Sequence, residues 1–273
     1  MKNIVFIPYI KREENVTGRS SIGHSNRHLG YEYGIKSWKA WAKKNGHEVY
    51  IMSDLLCPES HMLITWQRWK VLDILEHNEI EYEQVLVVDA DSIVHPDCPD
   101  FFELTDNQFT TVLTDGDYEW VNRAINGYSK MFFDKEFCLK SYEFFQTGFV
   151  IINKTHKWFF DKVFDFYETN REKIIESYDV LLTGSDISLM NCMRKEFGLE
   201  MNLLPKQFGL MDMVRKQLFY FDERCYWEDN LKNFYNSGWV YQFNAIPQNS
   251  MGRERTYWME RVYGELYAED RIH

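Results

Sequence analysis

Paired cysteines are absent from this sequence. Its 273 residues include five cysteines scattered along the chain, and no two of them form a Cys-x-x-Cys pair. An odd number of scattered cysteines favours reduced thiols over a disulfide framework, and reduced thiols are typical of the inside of a cell. We therefore expect a cytoplasmic protein in which most of these thiols are buried.

Long hydrophobic runs and an excess of positive charge are also lacking. No apolar run reaches the ~18 residues that a membrane-spanning helix needs. Residues 1–8 are too short for a signal peptide and lack a cleavage site, which indicates a first strand. The formal net charge of −11 argues against non-specific binding to nucleic acids, because that binding needs a basic surface. We expect no membrane span.

Short apolar segments alternate with amphipathic ones along residues 1–204. Strands are predicted at 4–7, 47–52 and 85–88, and the helices between them at 31–45 and 61–77. This order is typical of a doubly wound sheet. Further strands are predicted at 109–113 and 149–152, and further helices at 155–176 and 185–197, whereas 115–140 looks irregular. The sequence predicts an α/β fold with a Rossmann-like, mixed and mostly parallel sheet flanked by helices.

The remaining residues, 205–273, are rich in aromatic side chains and have weak periodicity. No internal repeat, low-complexity tract or linker separates them from the rest of the chain. We therefore predict one core over 1–204 that carries the chemistry. Residues 205–273 are predicted to be an extension that packs on this core and closes the active site.

The third predicted strand ends in two carboxylates. The apolar run 85–88 is followed by Asp89, Ala90 and Asp91, at the edge where open α/β sheets bind ligands. On an extended chain Asp89 and Asp91 would point the same way, so together they could hold a divalent cation such as Mn²⁺ or Mg²⁺. The alternative is a pair of solvated carboxylates in a turn.

Two later segments carry further candidates. Gln146, Thr147 and Gly148 precede an apolar strand, and Asp186 opens a helix after Thr183, Gly184 and Ser185. Each segment has a plain structural explanation, because glycine permits close backbone approach and Ser or Asp commonly caps a helix. A binding role for both segments remains the alternative.

In their order and spacing, these segments resemble the GT-A glycosyltransferases, above all the retaining glycogenin and lipopolysaccharide galactosyltransferase type. The resemblance covers about residues 1–200. It implies that Asp89 and Asp91 bind Mn²⁺ or Mg²⁺ and the diphosphate of a nucleotide sugar. It also implies that residues 146–148 lie near the donor sugar and acceptor, and that Asp186 and Gln146 are catalytic candidates. The implied function is metal-dependent transfer of a sugar, with UDP as the expected nucleotide, to an acceptor hydroxyl with retention.

The sequence departs from that family in two places. The family takes a third metal ligand from a C-terminal His, whereas no His occurs here between His156 and His273. Gln242 or Asn244 could supply an oxygen ligand instead. Ile187 stands where the family often has Gln, so the prediction for the sugar's reactive face depends on Asp186.

Other donor-binding candidates follow from position. In this fold the first two strands end near the base and ribose of a bound nucleotide. Basic side chains before the third strand or near the C-terminus could bind its diphosphate. A solvated surface or a salt bridge explains the basic residues equally well. The predicted donor-binding set is Pro8, Tyr9, Asp54, Arg68, Lys70, Ala90, Thr147, Gly148, Arg253 and Arg255.

The acceptor and two other functions stay open. Aromatic residues at 118–145 could form a platform for a carbohydrate acceptor, or could simply pack in the core: Tyr118, Trp120, Tyr128, Phe132 and Phe133. A modified nucleic acid fits poorly with the acidic charge. The alternatives to a glycosyltransferase are an inactive GT-A-fold module that binds carbohydrate or nucleotide, and a haloacid-dehalogenase-type phosphatase. The phosphatase is disfavoured because its Asp-x-Asp usually follows the first strand.

Overall fold

The computed structural model describes residues 2–10, 29–114, 116–219, 234–246 and 252–268. Within these ranges the strands form a six-stranded sheet in the order β2-β1-β3-β6-β5-β7 and a two-stranded sheet of β4 and β8. Their bounds are β1 (Lys2–Pro8), β2 (Glu48–Met52), β3 (Tyr82–Val88), β4 (Ser92–Val94), β5 (Thr110–Leu113), β6 (Phe145–Ile152), β7 (Asn202–Leu203) and β8 (Val240–Gln242).

The main sheet is mixed, as predicted. β1 pairs in parallel with β2 and β3, and β5 pairs in parallel with β7. β6 lies between β3 and β5 and runs antiparallel to both. As a result, the beginning of β6 and the end of β3 meet at the same edge of the sheet, with Phe149 opposite Val88.

Helices cover both faces of this sheet. Their bounds are α1 (Tyr31–Asn45), α2 (Ile64–Gln67), α3 (Val71–His77), α4 (Tyr118–Phe133), α5 (Lys157–Leu181), α6 (Ser185–Glu196), α7 (Asp212–Phe219) and α8 (Arg255–Leu266). α1 agrees with the prediction to the residue and ends at Gly46, whose φ of 74° is the left-handed conformation that favours glycine at a helix C-terminus.

Two helix predictions were wrong in detail. The single helix expected over 61–77 is α2 and α3 joined by a 3₁₀ turn at Arg68–Lys70. The segment 115–140, expected to be irregular, contains α4. Asp117 caps α4 by accepting a hydrogen bond from the Trp120 backbone N–H at 2.9 Å, and Val121 and Ile125 are among its buried residues.

The core lies on both faces of the central strands. Along β3, Val85 and Val87 pack with the helices on one face, and Leu86 and Val88 pack with α1 on the other. Because both faces of residues 85–88 are buried, this part of β3 is a continuous apolar run, whereas Glu83 near the start of the strand is exposed.

The described part of the C-terminal region contacts the core through the second sheet and α8. β8 pairs antiparallel with β4, with Gln242 opposite Ser92. The Tyr267 hydroxyl donates a hydrogen bond to the Val94 carbonyl at 2.7 Å, and Thr256 on α8 donates to the Leu29 carbonyl at 3.2 Å. These contacts connect the C-terminal region to the strand that follows Asp91 and to the residues just before α1.

Two further expectations concern membranes and cysteines. Across the ranges given above, no helix is both long and apolar enough to cross a membrane.

Four cysteines are described, all as free thiols; Cys98 and Cys192 are buried, and Cys57 and Cys138 are partly buried. Cys225 lies outside the described residues.

Candidate functional site

A cleft of about 890 Å³ opens where β3, β6 and β8 come together. The end of β1, the first residues of β6, the start of α6 and the start of α8 also contribute to its walls. The cleft therefore lies at the carboxyl end of β3, the position at which α/β sheets commonly bind ligands.

The Asp-x-Asp motif occupies a turn at the floor of this cleft. The backbone N–H of Ser92 donates to the carbonyl of Asp89 at 3.2 Å, which closes a β-turn over residues 89–92 between β3 and β4. The expectation of an extended chain is thus wrong, because the chain leaves one sheet and enters the other here. Asp89, Ala90 and Asp91 all line the cleft.

Arg68 joins two carboxylates that are far apart in the sequence. Its Nη1 donates to Oδ1 of Asp89, and its Nη2 donates to Oδ2 of Asp186 at 2.5 Å. The side chains of Arg68 and Asp186 are 7% and 6% exposed, and that of Asp89 is 31% exposed. The guanidinium carbon lies 4.9 Å from the ring centroid of Trp69. The sequence placed Arg68 among the donor-binding candidates, and its bond to Asp186 was not predicted.

The electrostatics of this triad follow from its burial. Burial lowers the pKa of Arg68, but the charges of Asp89 and Asp186 outweigh that effect and raise the pKa above its usual value. For Asp89, burial raises the pKa, Arg68 opposes the rise, and the nearby Asp186 charge adds to it. The guanidinium therefore stays charged and compensates two acids that would otherwise repel each other.

Asp186 does not cap its helix. Gly184 is the N-cap of α6 and makes no side-chain capping bond, whereas Oδ2 of Asp186 also accepts a 3.4 Å hydrogen bond from Nε1 of Trp69. Helix capping, the structural explanation considered from the sequence, thus does not apply to Asp186. Its neighbour Ile187 lines the cleft as an apolar side chain.

Gly148 leaves space beside the motif. A Cβ atom built on Gly148 would lie 2.6 Å from Oδ2 of Asp89 and 2.9 Å from Oε1 of Gln242. Two oxygens from different strands therefore lie close to the same point. Any larger residue at position 148 would push them apart.

The donor atoms around this point fit a hard divalent cation. Among the described residues, Oδ1 of Asn244 is buried without a hydrogen-bond partner, and Oε1 of Gln242 lies beside the space over Gly148. Carboxylate and amide oxygens are the ligands that Mg²⁺ and Mn²⁺ prefer. Within the described ranges no cluster of three His, Cys, Asp or Glu side chains is arranged as a metal site, so a cation here would depend on these amides as well as on Asp89 and Asp91.

Arg255 brings a second cation to the motif from α8. Its Nη1 lies 3.6 Å from Oδ2 of Asp91, and its guanidinium carbon lies 4.9 Å from the ring centroid of Tyr31. The Arg255 side chain is 16% exposed and lines the cleft. Each acid of the motif thus has an arginine next to it.

The structure brings most of the predicted residues together. Asp186, Gln146, Asp89, Asp91, Asn244 and Gln242 line the cleft, and so do Pro8, Arg68, Ala90, Thr147, Gly148 and Arg255. Gln146 is 1% exposed, and its Nε2 donates a hydrogen bond to the Gly209 carbonyl at 2.8 Å. This bond fixes the orientation of the Gln146 amide in the wall of the cleft.

Four predicted donor-binding residues lie outside the cleft lining. Lys70 donates to Asp73 at 3.2 Å and covers the ring of Phe164, because a 3₁₀ turn directs residues two apart to different sides. Arg253 lies over the ring of Tyr257. The other two also have their own neighbours: Tyr9 packs on Tyr31, and the exposed Asp54 accepts a hydrogen bond from Ser53.

Several cleft residues were missed from the sequence. Among the aromatic residues proposed as an acceptor platform, Trp120 lines the cleft, whereas Tyr128 is fully buried in the core. Tyr31, Tyr178, Asp117 and Arg215 also line the cleft and were not predicted. Asp117 could have been found, since an Asp preceding an amphipathic segment is a typical helix N-cap.

No protein-family model matches this sequence, and no curated protein matches it either. Solved structures do match it. A glycosyltransferase involved in the glycosylation of the major capsid of PBCV-1 superposes with a TM-score of 0.52 at 11% identity, over 96% of this chain and 98% of that one. The bifunctional glycosyltransferase WbbM superposes with a TM-score of 0.56 at 12% identity, over 98% of this chain.

This chain spans 50% of the length of WbbM. At these low identities, the matches to both proteins establish a common fold. The predicted GT-A type of fold, with a mixed and mostly parallel sheet flanked by helices, is therefore confirmed.

Proposed function

We propose that the protein is a glycosyltransferase that moves a hexose or pentose from a nucleotide-diphosphate donor, with UDP as the expected nucleotide, to an acceptor hydroxyl. One observation carries the proposal: Arg68 ties Asp89 to Asp186 on the floor of the large cleft. Such a constellation brings the predicted diphosphate-binding acids next to the predicted sugar-binding acid. The shared fold with two glycosyltransferases supports it.

The proposed metal site comprises Asp89, Asp91 and the amide oxygens of Gln242 and Asn244. A bound Mn²⁺ or Mg²⁺ would neutralise the charge that develops on the departing diphosphate. The unpartnered Oδ1 of Asn244, and the oxygens of Asp89 and Gln242 around the open space over Gly148, support this assignment. Because two of these residues belong to the 205–273 segment, we propose that this segment completes the active site of a core over 1–204.

Arg255 is the proposed contact for the diphosphate. In the present arrangement it lies near Asp91 and covers Tyr31, at the rim where α8 meets α1. A guanidinium presents paired donors that match phosphate oxygens. We propose that Arg255 turns from Asp91 towards the diphosphate when the donor binds, and that it stabilises the leaving group.

Asp186 is the proposed contact on the sugar. Its Oδ2 already accepts hydrogen bonds from Arg68 and Trp69, so this oxygen is poorly available to take a proton from the acceptor. This favours a role in holding donor hydroxyls and stabilising positive charge at the sugar, which fits a retaining reaction better than an inverting one. Gln146 and Thr147 would bound the sugar from the β6 side.

The acceptor is proposed to be a carbohydrate or a similar hydroxyl-bearing molecule. Trp120 and Tyr178 line the cleft together with Ile187, which adjoins Asp186. Aromatic rings can stack on the apolar face of a sugar ring. These residues therefore offer the acceptor a surface next to the proposed position of the donor sugar.

A second candidate is an inactive module that binds nucleotide sugars. Ile187 favours it, because an apolar side chain lines the cleft where related enzymes often carry an amide. The two candidates differ in turnover and not in donor binding, so a single assay with a binding control separates them.

The test is nucleoside-diphosphate release from a panel of UDP-, GDP- and TDP-linked sugars, with Mn²⁺ and with a chelator. In this assay water accepts the sugar in a slow hydrolysis. We expect metal-dependent release from one donor by the wild type and its loss in Asp91→Asn. The control is Asp97→Asn, because Asp97 is 74% exposed and pairs only loosely with Lys44 at 3.4 Å. Donor binding without release would point to a missing acceptor or to the inactive module, and a panel of carbohydrate acceptors added to the same assay separates these two outcomes. Absence of binding to every donor would refute both candidates.

A further inference from the structure

We infer that Trp38 and Ser92 are positioning residues that fix the turn of the Asp-x-Asp motif. This inference depends on the proposed metal–diphosphate function of the motif. Nε1 of Trp38 donates to the Ser92 hydroxyl at 2.9 Å, and that hydroxyl donates to the Asp89 carbonyl at 2.6 Å. All three groups lie in one chain of hydrogen bonds that runs from α1 to the floor of the cleft.

Each member of this chain has little freedom. Trp38 and Ser92 are 0% exposed, so solvent cannot replace either bond. The indole of Trp38 packs edge-on against Trp41 and Phe101, with centroid distances of 5.9 and 6.2 Å. A buried indole N–H needs an acceptor, and Ser92 supplies it. In turn, the direction of the Ser92 hydroxyl is set by Trp38.

Ser92 also connects the turn to the opposite side of the proposed metal site. It is paired across the β4–β8 ladder with Gln242, whose Oε1 points to the space over Gly148. Ser92 therefore bonds to the backbone of Asp89 and also lies opposite Gln242, the proposed amide ligand, in the sheet of β4 and β8.

The close approach of α1 to the turn depends on Gly34. A Cβ atom on Gly34 would lie 2.2 Å from the carbonyl oxygen of Ala90 and 2.6 Å from that of Ser92. No other residue allows this contact without moving the backbone. α1 thus packs directly on the motif at Gly34. Trp38 lies one helical turn after Gly34, and this explains how its indole reaches Ser92.

The orientation of metal-binding side chains commonly depends on such outer partners, whose loss weakens metal affinity by roughly 10–100-fold. Trp38→Phe keeps the ring and removes only the N–H donor. We expect Mn²⁺ to bind about tenfold more weakly to this variant in the presence of UDP, or of GDP or TDP if the wild type prefers one of them. Isothermal titration calorimetry measures this directly and does not depend on turnover.

Trp41→Phe is the matched control. Trp41 lies on the same helix, is 1% exposed, and donates through Nε1 to the Cys98 carbonyl at 2.8 Å, away from the motif. Both substitutions remove one buried indole hydrogen bond and should lower the melting temperature similarly, but Trp41→Phe should leave Mn²⁺ affinity unchanged. Equal Mn²⁺ affinities in the two variants would overturn the inference and leave the proposed function intact.

Ser92→Ala and Ser37→Ala form a second pair, which decides the question if Trp38→Phe does not fold. Ser37 is also fully buried and bonds to Gly34 and Val94 instead of Asp89. We expect weaker Mn²⁺ binding in Ser92→Ala only, with no additional loss when Trp38→Phe is combined with it. A wild type that binds no nucleoside diphosphate with Mn²⁺ would instead refute the proposed function, and this inference with it.

Discussion

The guanidinium of Arg68 allows a quantitative test of the site. Arg68→Met keeps an unbranched apolar side chain against Trp69 and removes the charge between Asp89 and Asp186. Breaking a buried ion pair costs roughly 3–5 kcal/mol, and we expect about 3 kcal/mol because Asp89, at 31% exposure, recovers part of its solvation. For a domain of this size that corresponds to a melting temperature lower by roughly 6–10 °C.

This loss of stability should depend on pH. Burial already raises the pKa of Asp89 in the wild type while Arg68 opposes the rise, so removing Arg68 raises the pKa further in the folded state. The folded variant then keeps a proton that the unfolded chain has released, and its stability falls as the pH rises through the folded pKa. Lowering the pH from neutral should therefore narrow the difference between variant and wild type.

Urea unfolding and thermal unfolding, both followed by circular dichroism and repeated from pH 7 to about 5, measure the free energy of unfolding and the melting temperature at each pH. The control is the triple variant Arg68→Met with Asp89→Asn and Asp186→Asn, which removes both uncompensated acids and should recover much of the lost stability. A melting temperature within about 2 °C of the wild type, or a deficit that does not change with pH, would contradict this account of the triad.

Two further predictions concern packing and titration. Gly148→Ala should abolish Mn²⁺-dependent binding of a nucleoside diphosphate in calorimetry, because the added Cβ would lie 2.6 Å from Oδ2 of Asp89. The control is Gly264→Ala, which should leave binding unchanged because no atom lies within 4 Å of the added Cβ. His156 is buried, and burial lowers its pKa from 6.5 to about 4. The unfolded chain therefore takes up a proton first as the pH falls below 6.5, so stability should decline towards pH 4, and His156→Asn should show a smaller decline in urea midpoints.

Local sequence signals predicted the elements that depend on local forces. Residues 85–88 of β3 and 149–152 of β6 appear as apolar runs because both of their faces are buried. α1 was predicted in full because Asn45 and Gly46 end it. The Asp-x-Asp motif was also visible, since two acids directly after a buried strand are conspicuous. Twelve of the sixteen predicted site residues thus line the cleft.

Features that depend on long-range pairing could not be predicted. The insertion of β6 between β3 and β5 is set by contacts between distant segments, and so is the bond from Arg68 to Asp186. Lys70 was grouped with Arg68 because both are basic and near in sequence, but the 3₁₀ turn separates them. α4 was missed because its aromatic residues obscured the helical period.

The pairing of β4 with β8 also has a consequence for how the molecule is made. Ser92 and Gln242 are neighbours across this small sheet, although most of the chain lies between them. Proteins are synthesised and begin to fold from the N-terminus, and contacts between distant residues form late. On the ribosome, the growing chain therefore presents Asp89 and Asp91 long before β8 and α8 exist. A nascent chain has the acids but lacks Gln242 and Arg255, so competence to bind a donor arises only near the end of translation.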